Sequence, residues 1–318
     1  MKRIRNILLL SILFSNTILA QQKPDYVVAI DGSGDFVTVQ EAINAVPDMR
    51  SNRTVIYIKP GIYKEKLTLP ANKTNVSFVA DDAKTTILTY NDYAQTNNRF
   101  GENVGTSGSS SFFVYADGFS AENITFENSA GPVGQAVAVR IDGDKVSFRN
   151  CRFLGFQDTL YPHGDRSRQY YKNCYIEGTV DYIFGFSTCY FEDCELFCKK
   201  SGYITAASTP ENTKYGFVFK NCKITGDAPN GSFYLGRPWR PYAKVVFIEC
   251  ELPEIVHPKG WHNWGKESNE KTAFYAEYNN KGKGSVATQR VKWAKQLSPK
   301  QARKYTREAV LGDWNPEK

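Results

Sequence analysis

"FRNC", residues 148–151, belongs to a series: "FENS" (126–129) precedes it, and "YKNC" (171–174), "FEDC" (191–194), "FKNC" (219–222) and "FIEC" (247–250) follow. Each is an aromatic residue, a spacer, an Asn, Asp or Glu, and then Cys or Ser, at intervals of 22, 23, 20, 28 and 28 residues. Imperfect periods of this size mark a solenoid, in which every repeat is one supersecondary unit stacked on the next. Between the signatures lie brief apolar runs such as "KVSF" (145–148), "YGFVF" (215–219) and "KVVF" (244–247), broken by Gly, Asn, Asp and Pro. Such runs read as short strands. No helix-length pattern recurs within the units, which argues against leucine-rich and ankyrin-type repeats. The chain therefore reads as all-β, a right-handed parallel β-helix with one coil per unit. "TVIYI" (54–58) and "NVSFV" (75–79) read as earlier coils without the signature.

Working outward, both ends carry helix signals. In "TVQEAINAV" (38–46), Thr38 and Glu41 are spaced as a capping box, Ala42, Ile43 and Val46 share a face, and Pro47 is a stop. A short helix there would cover the open end of the first coil. "SPKQARKYTREAVL" (298–311), with Ser298 as N-cap and Pro299 at the first helical position, reads as a second helix at the other end. No linker or shift in composition divides residues 21–318, which read as a single domain.

Residues 1–20 read as a signal peptide: "MKRIR" is basic, "NILLLSILFSNTI" apolar, and Ala20 a small residue at the cleavage point. No later run of about eighteen apolar residues offers a membrane span, and no Cys precedes Cys151 to carry a lipid anchor. The expectation is a soluble protein, secreted or periplasmic. Removing Lys2, Arg3 and Arg5 lowers the formal charge from +7 to +4. That mild basicity suits an acidic polymer, and no Lys/Arg run points to nucleic acid.

In a parallel β-helix, equivalent positions on successive coils stack roughly 4.8 Å apart. The signature thus supplies a phase. Gln157 lies six residues after Cys151, as Gln135 does after Ser129; Asp158 lies seven after Cys151, as Asp181 does after Cys174. Two glutamines should stack on adjacent coils, with two aspartates beside them. Taken singly, each aspartate is an ordinary turn residue; four such residues in matched phase read as a site. Two carboxylates that close repel, so one tends to keep a proton, and paired amides can hold an oxyanion.

The residues at this point resemble the pectin methylesterases, carbohydrate esterase family 8, over nearly the whole chain after residue 20. The matching motifs are "GIYKEKL" (61–67), "QAVAVR" (135–140), "GFQDTLY" (155–161), "GTVDYIFG" (178–185) and "LGRPW" (235–239). The resemblance implies a parallel β-helix, in agreement with the repeats. It also implies a hydrolase needing no metal or other cofactor, acting on the methyl esters of homogalacturonan and releasing methanol. By resemblance, Asp181 is the nucleophile, Asp158 the general acid and then base, Gln135 and Gln157 the oxyanion hole, and Arg237 the group that holds Asp181. Trp239, Tyr161, Phe184, Val180 and Thr106 match substrate-groove positions of the family. "GWHNW" (260–264) and "GKGSV" (282–286) match more loosely and receive no role. Ala207 departs from the Gln usual in the plant proteins, which gives the chain a bacterial look.

Rival readings need other residues. A β-helix polysaccharide lyase would need clustered acidic oxygens for Ca²⁺, and a glycosidase has no need of paired glutamines. A Ser-His-Asp esterase lacks G-x-S-x-G here, while a non-catalytic glycan-binding β-helix would be separated only by assay. Pectin is the expected partner of a monomeric enzyme, with no nucleic acid and no membrane anchor. The five signature cysteines should form a ladder. A Cys174–Cys194 disulfide resembles one in bacterial members of the family and spans the shortest interval of 20 residues; the alternative is free thiols packed inside the coil.

Overall fold

Strands here are short, from two to six residues, and most apolar runs are interrupted by Asn, Asp, Gly or Pro. The structure, a computed structural model, describes residues 23–317; the expected signal segment, 1–20, lies outside them. All the strand pairs are parallel and stack into three sheets of eleven, seven and seven strands, the right-handed parallel β-helix expected from the repeats. One coil takes a strand from each sheet in turn, as in Val146–Arg149, Arg152–Leu154 and Leu160–Pro162.

The repeated signature is the physical logic of one corner. Its aromatic residue points inward, and Phe148, Tyr171, Phe191, Phe219 and Phe247 stack with centroids 5.2, 4.4, 4.5 and 4.3 Å apart. Its third residue makes the turn from the first sheet to the second. Asn123, Asn150, Asn173, Asp193, Asn221, Glu249 and Asn279 all adopt φ between 50° and 60°, a left-handed conformation that Asn and Asp tolerate better than most side chains. From Asn123 to Glu249 each such N–H then donates to the carbonyl one coil on, Asn150 to Lys172 at 3.0 Å and Asn221 to Ile248 at 3.0 Å. Its last residue returns to the interior, where Cys151, Cys174, Cys194, Cys222 and Cys250 are buried.

Three expectations need correction. "FENS" is not a rung of this ladder: Phe126 pairs with Phe153 in the second sheet, whereas Phe148 pairs with Ala121 in the first. The true counterpart of "FRNC" is "AENI" (121–124), which has the left-handed Asn but neither the aromatic residue nor the Cys. Second, Cys174 and Cys194 are neighbours in the ladder but not bridged, since all seven cysteines are free. Their thiols point to backbone carbonyls instead, Cys174 to Lys172 at 3.4 Å and Cys194 to Glu192 at 3.4 Å.

Third, residues 298–311 are not one helix. Thr306 is extended and caps a new start by accepting from Ala309 N–H, so Pro299–Ala302 and Arg307–Leu311 are separate helices around a single 3₁₀ turn. Nor do they close the end of the solenoid. Val310 and Leu311 lie against Tyr170, Tyr190, Val218 and Val246 on the outer face of the eleven-stranded sheet. The end itself is filled by Trp261, Tyr275 and Trp293. The helix Val39–Ala45 does cover the first coils, with Thr38 accepting from Glu41 N–H. Glu65, from the neighbouring coil, accepts from Val39 and Gln40 N–H at 2.8 and 3.0 Å.

Candidate active site

The third sheet carries the site on its outward face, in two rows. Gln135 and Gln157 meet in a parallel bridge, and the register of Leu160 with Ile183 makes Val180 the next residue in that row. The adjoining row runs Asp158, Asp181, Tyr203, Tyr234, because Ile183 pairs with Thr205 and Tyr203 with Tyr234. The expected quartet is therefore assembled, though the two glutamines meet by a different count. Gln135 lies twelve residues beyond Asn123 and Gln157 seven beyond Asn150, so a five-residue longer connection offsets the misplaced "FENS".

Both aspartates are strained in the same way, with φ 65° at Asp158 and 53° at Asp181. Non-Gly residues in this region persist where the surroundings enforce them. Here the ladder does so: Asp158 N–H donates to Val180 O at 3.1 Å. Arg237 reaches over from the third sheet, one coil beyond Tyr203. Its Nε and Nη2 donate to Asp181 Oδ1 and Oδ2 at 2.9 and 2.7 Å, a bidentate fork. Gly236, just before it, leaves room for the backbone, since a Cβ there would fall 1.9 Å from Thr205 Oγ1.

The two carboxyls differ in their electrostatics. Asp158 and Asp181 are 7 % and 5 % exposed. Burial pushes Asp158 well above the ordinary carboxylate range, the Asp181 charge adds to the rise, and Arg237 acts against it. Burial leaves Asp181 raised above the ordinary range as well, but the Arg237 hydrogen bonds and charge oppose the rise and keep it smaller than at Asp158. Asp158 thus holds its proton to higher pH than Asp181, the ordering an acid beside an ionised nucleophile requires.

These groups open into a cleft of about 410 Å³, whose wall includes Thr106, Tyr161, Phe184, Trp239 and Trp264. Tyr161 and Phe184 stack at 4.0 Å between centroids, and Trp239 packs on Phe184 at 6.1 Å. Val180 supports the site through its backbone and is not among the cleft-lining residues. Sequence reasoning left out Tyr203 and Trp264, whose rings lie 3.9 and 3.8 Å from the Arg237 guanidinium carbon. Trp264 was within reach through "GWHNW". Tyr203 was hidden, because it lies nine residues after Cys194 where Asp158 and Asp181 lie seven after their cysteines. Among the described residues, no group of three or more His, Cys, Asp or Glu side chains is arranged to hold a metal ion.

A family model described as Pectinesterase matches residues 25–313. The chain is 44% identical to pectinesterase 31 of Arabidopsis thaliana over 283 residues, 86% of this chain and 88% of that protein. Among solved structures, pectin methylesterase from carrot superposes with a TM-score of 0.84 at 34% identity, covering 92% of this chain and 94% of that one. A pectin methylesterase solved in complex with a hexasaccharide gives 0.81 at 31%, covering 92% and 98%. Of the longer pectinesterase/pectinesterase inhibitor proteins, such as the probable number 13 of Arabidopsis thaliana, the chain spans about half, 49% at 38% identity. Fold and relatives together define a carboxylic ester hydrolase built on a parallel β-helix. The chain belongs to the pectinesterase family. Plant proteins stand among the relatives named here.

Proposed function

We propose that the chain is a pectin methylesterase, hydrolysing C6 methyl esters of homogalacturonan to free carboxylates and methanol. The observation that carries this reading is the pairing of a guanidinium-forked carboxylate with a second, proton-holding carboxyl beside two stacked amides. Asp181 attacks the ester carbonyl carbon through one carboxylate oxygen. The oxyanion so formed accepts from the amide N–H groups of Gln135 and Gln157. As the tetrahedral centre collapses, the carbon–oxygen bond to the methoxy group breaks and Asp158 gives its proton to the departing methoxide. Water then attacks the acyl-enzyme carbonyl, Asp158 takes the water's proton, and Asp181 leaves as a carboxylate. The product acid loses its remaining proton to solvent and departs as a galacturonate carboxylate, and no metal or other cofactor enters a step.

The stacked Tyr161 and Phe184 rings and the Trp239 indole offer apolar faces for pyranose C–H groups, and Thr106 also lines the cleft. The relative solved with a hexasaccharide supports a glycan in this cleft. The enzyme acts outside the cytoplasm as a monomer, with residues 1–20 serving as the export signal; none of the described helices is long and apolar enough to cross a membrane. Methanol release from highly methylated pectin tests the reading. Methanol without chain shortening or unsaturated ends is expected from wild type, and Arg237→Lys should lose at least tenfold in kcat because an ammonium lacks the fork. Shortened chains, unsaturated product or no methanol would replace this reading with a glycosidase, a lyase or a binding protein.

A further inference from the structure

Arg237 is held on three sides, and only one of them is the carboxylate of Asp181. Its guanidinium lies between two rings, Tyr203 at 3.9 Å and Trp264 at 3.8 Å. A planar cation stacked on both faces can only swing within its own plane, and that plane contains the two N–H bonds aimed at Asp181. Tyr203 is itself braced. It stacks on Tyr234 at 5.3 Å, and Tyr234 stacks on His257 at 4.2 Å. His262 meets both tyrosines edge-on at 5.7 and 5.5 Å, while its Nδ1 accepts the N–H of Trp264 at 3.0 Å. The row that begins with the two aspartates thus continues as an aromatic column that ends against the same loop as Trp264.

We infer that Tyr203 is a positioning residue for the esterase reaction: it fixes the plane of Arg237 and through it the orientation and ionisation of Asp181. This rests on Asp181 acting as the nucleophile. The guanidinium is desolvated on the Tyr203 side, so an aliphatic residue there leaves it free to tilt and admits water to the fork. Nothing in the placement of Tyr203 gives it a role in forming the cleft wall, so its effect belongs in kcat and not in substrate binding.

The test compares Tyr203→Leu, Tyr203→Phe and Arg237→Lys in methanol release as a function of pH. Tyr203 is only partly buried on the outward face, so all three variants are expected to fold, which circular dichroism and thermal melts check. Tyr203→Leu should lose roughly tenfold in kcat, the scale of one strong cation–π contact, with KM within about twofold. Its acid limb should move to higher pH, since Asp181 is less well held as a carboxylate. The other titratable groups facing this pair are Asp158, the buried Tyr275 hydroxyl and His262; of these only His262 touches the substituted ring, and Tyr203→Phe keeps that contact. Tyr203→Phe, which keeps the ring, should restore most of the rate and the limb. A folded Tyr203→Leu with wild-type kcat and limb overturns the inference while Arg237→Lys remains impaired. If Arg237→Lys is also unimpaired, the nucleophile assignment fails as well. Equal losses in Tyr203→Leu and Tyr203→Phe would assign the effect to the hydroxyl and overturn the clamp.

Discussion

Asp158 and Asp181 share a row, a left-handed φ and near-complete burial, and they differ in one partner, Arg237. That difference gives opposite signs for their removal. Asp158 has no charge partner of its own and titrates above its ordinary value of 3.8 in the folded protein, first because of burial and then because of Asp181. Between the ordinary and the raised value, the folded state binds more protons than the unfolded state, so stability falls as pH rises through that window. Asparagine at 158 keeps the left-handed turn and never ionises. Asp158→Asn should therefore be inactive yet more stable than wild type at neutral pH, the gain vanishing as pH falls toward 3.8. Asp181→Asn should be inactive and less stable, because it leaves the Arg237 guanidinium without its counter-charge. Thermal melts from pH 4 to 8 decide it; a destabilised Asp158→Asn at neutral pH would mean that Asp158 is an ionised, paired group. The aspartate pair was legible in the sequence because the coils bearing Asp158 and Asp181 have equal connections from signature to site, whereas Gln135 fell into phase only because a five-residue longer connection offset the misplaced "FENS". Tyr203 was not legible, since two extra residues shifted it out of step.

At the scale of the element, the corner turn between the first and second sheets carries the repeat. Asn221 is exposed and its side chain makes no hydrogen bond among the described residues, so its value lies in φ 54° alone. Asn221→Ala should cost about 1 kcal/mol, the penalty of forcing a Cβ into that region, and Asn221→Gly should remain close to wild type. Denaturant unfolding of the two variants checks this; an Ala variant as stable as the Gly variant would assign the recurring Asn to something other than backbone shape. The same turn explains what the sequence hid. An aromatic residue and a Cys are interchangeable with other apolar residues in the interior, so "AENI" fills the rung before "FRNC" without resembling it. "FENS" imitates the signature from the neighbouring sheet. The break at Thr306 was equally hidden, because the run 298–311 has acceptable helix formers throughout, and what divides it is the packing of Val310 and Leu311 on the outer sheet face.

The molecule as a whole is quasi-one-dimensional, each coil stabilised by its two neighbours, so its weakest points are the ends. At the far end the interior is closed by a buried ion pair. Arg290 and Glu277 side chains are 3 % and 4 % exposed, with Nε to Oε1 at 2.7 Å and Nη2 to Oε2 at 3.1 Å. Trp261 Nε1 and Asn280 Nδ2 also donate to Glu277, at 3.2 Å each, and Asn280 Oδ1 accepts the N–H of Cys250 at 2.9 Å. The pair is thus wired to the last rung of the thiol ladder. Removing one partner of a buried pair strands the other charge, so Glu277→Gln should cost about 3–5 kcal/mol. The thiols report where that loss falls. All seven are free and buried, and burial pushes the Cys151 thiol up to about 12, so native labelling requires a coil to open. In wild type, alkylation of native protein should be negligible and seven thiols should react once it is unfolded. In Glu277→Gln under mild denaturant, Cys250 should label well before Cys151, as opening spreads inward from the unlatched end. Equal acceleration of both would mean that the solenoid opens as one cooperative unit, and fewer than seven reactive thiols in the unfolded wild type would mean that a bridge exists.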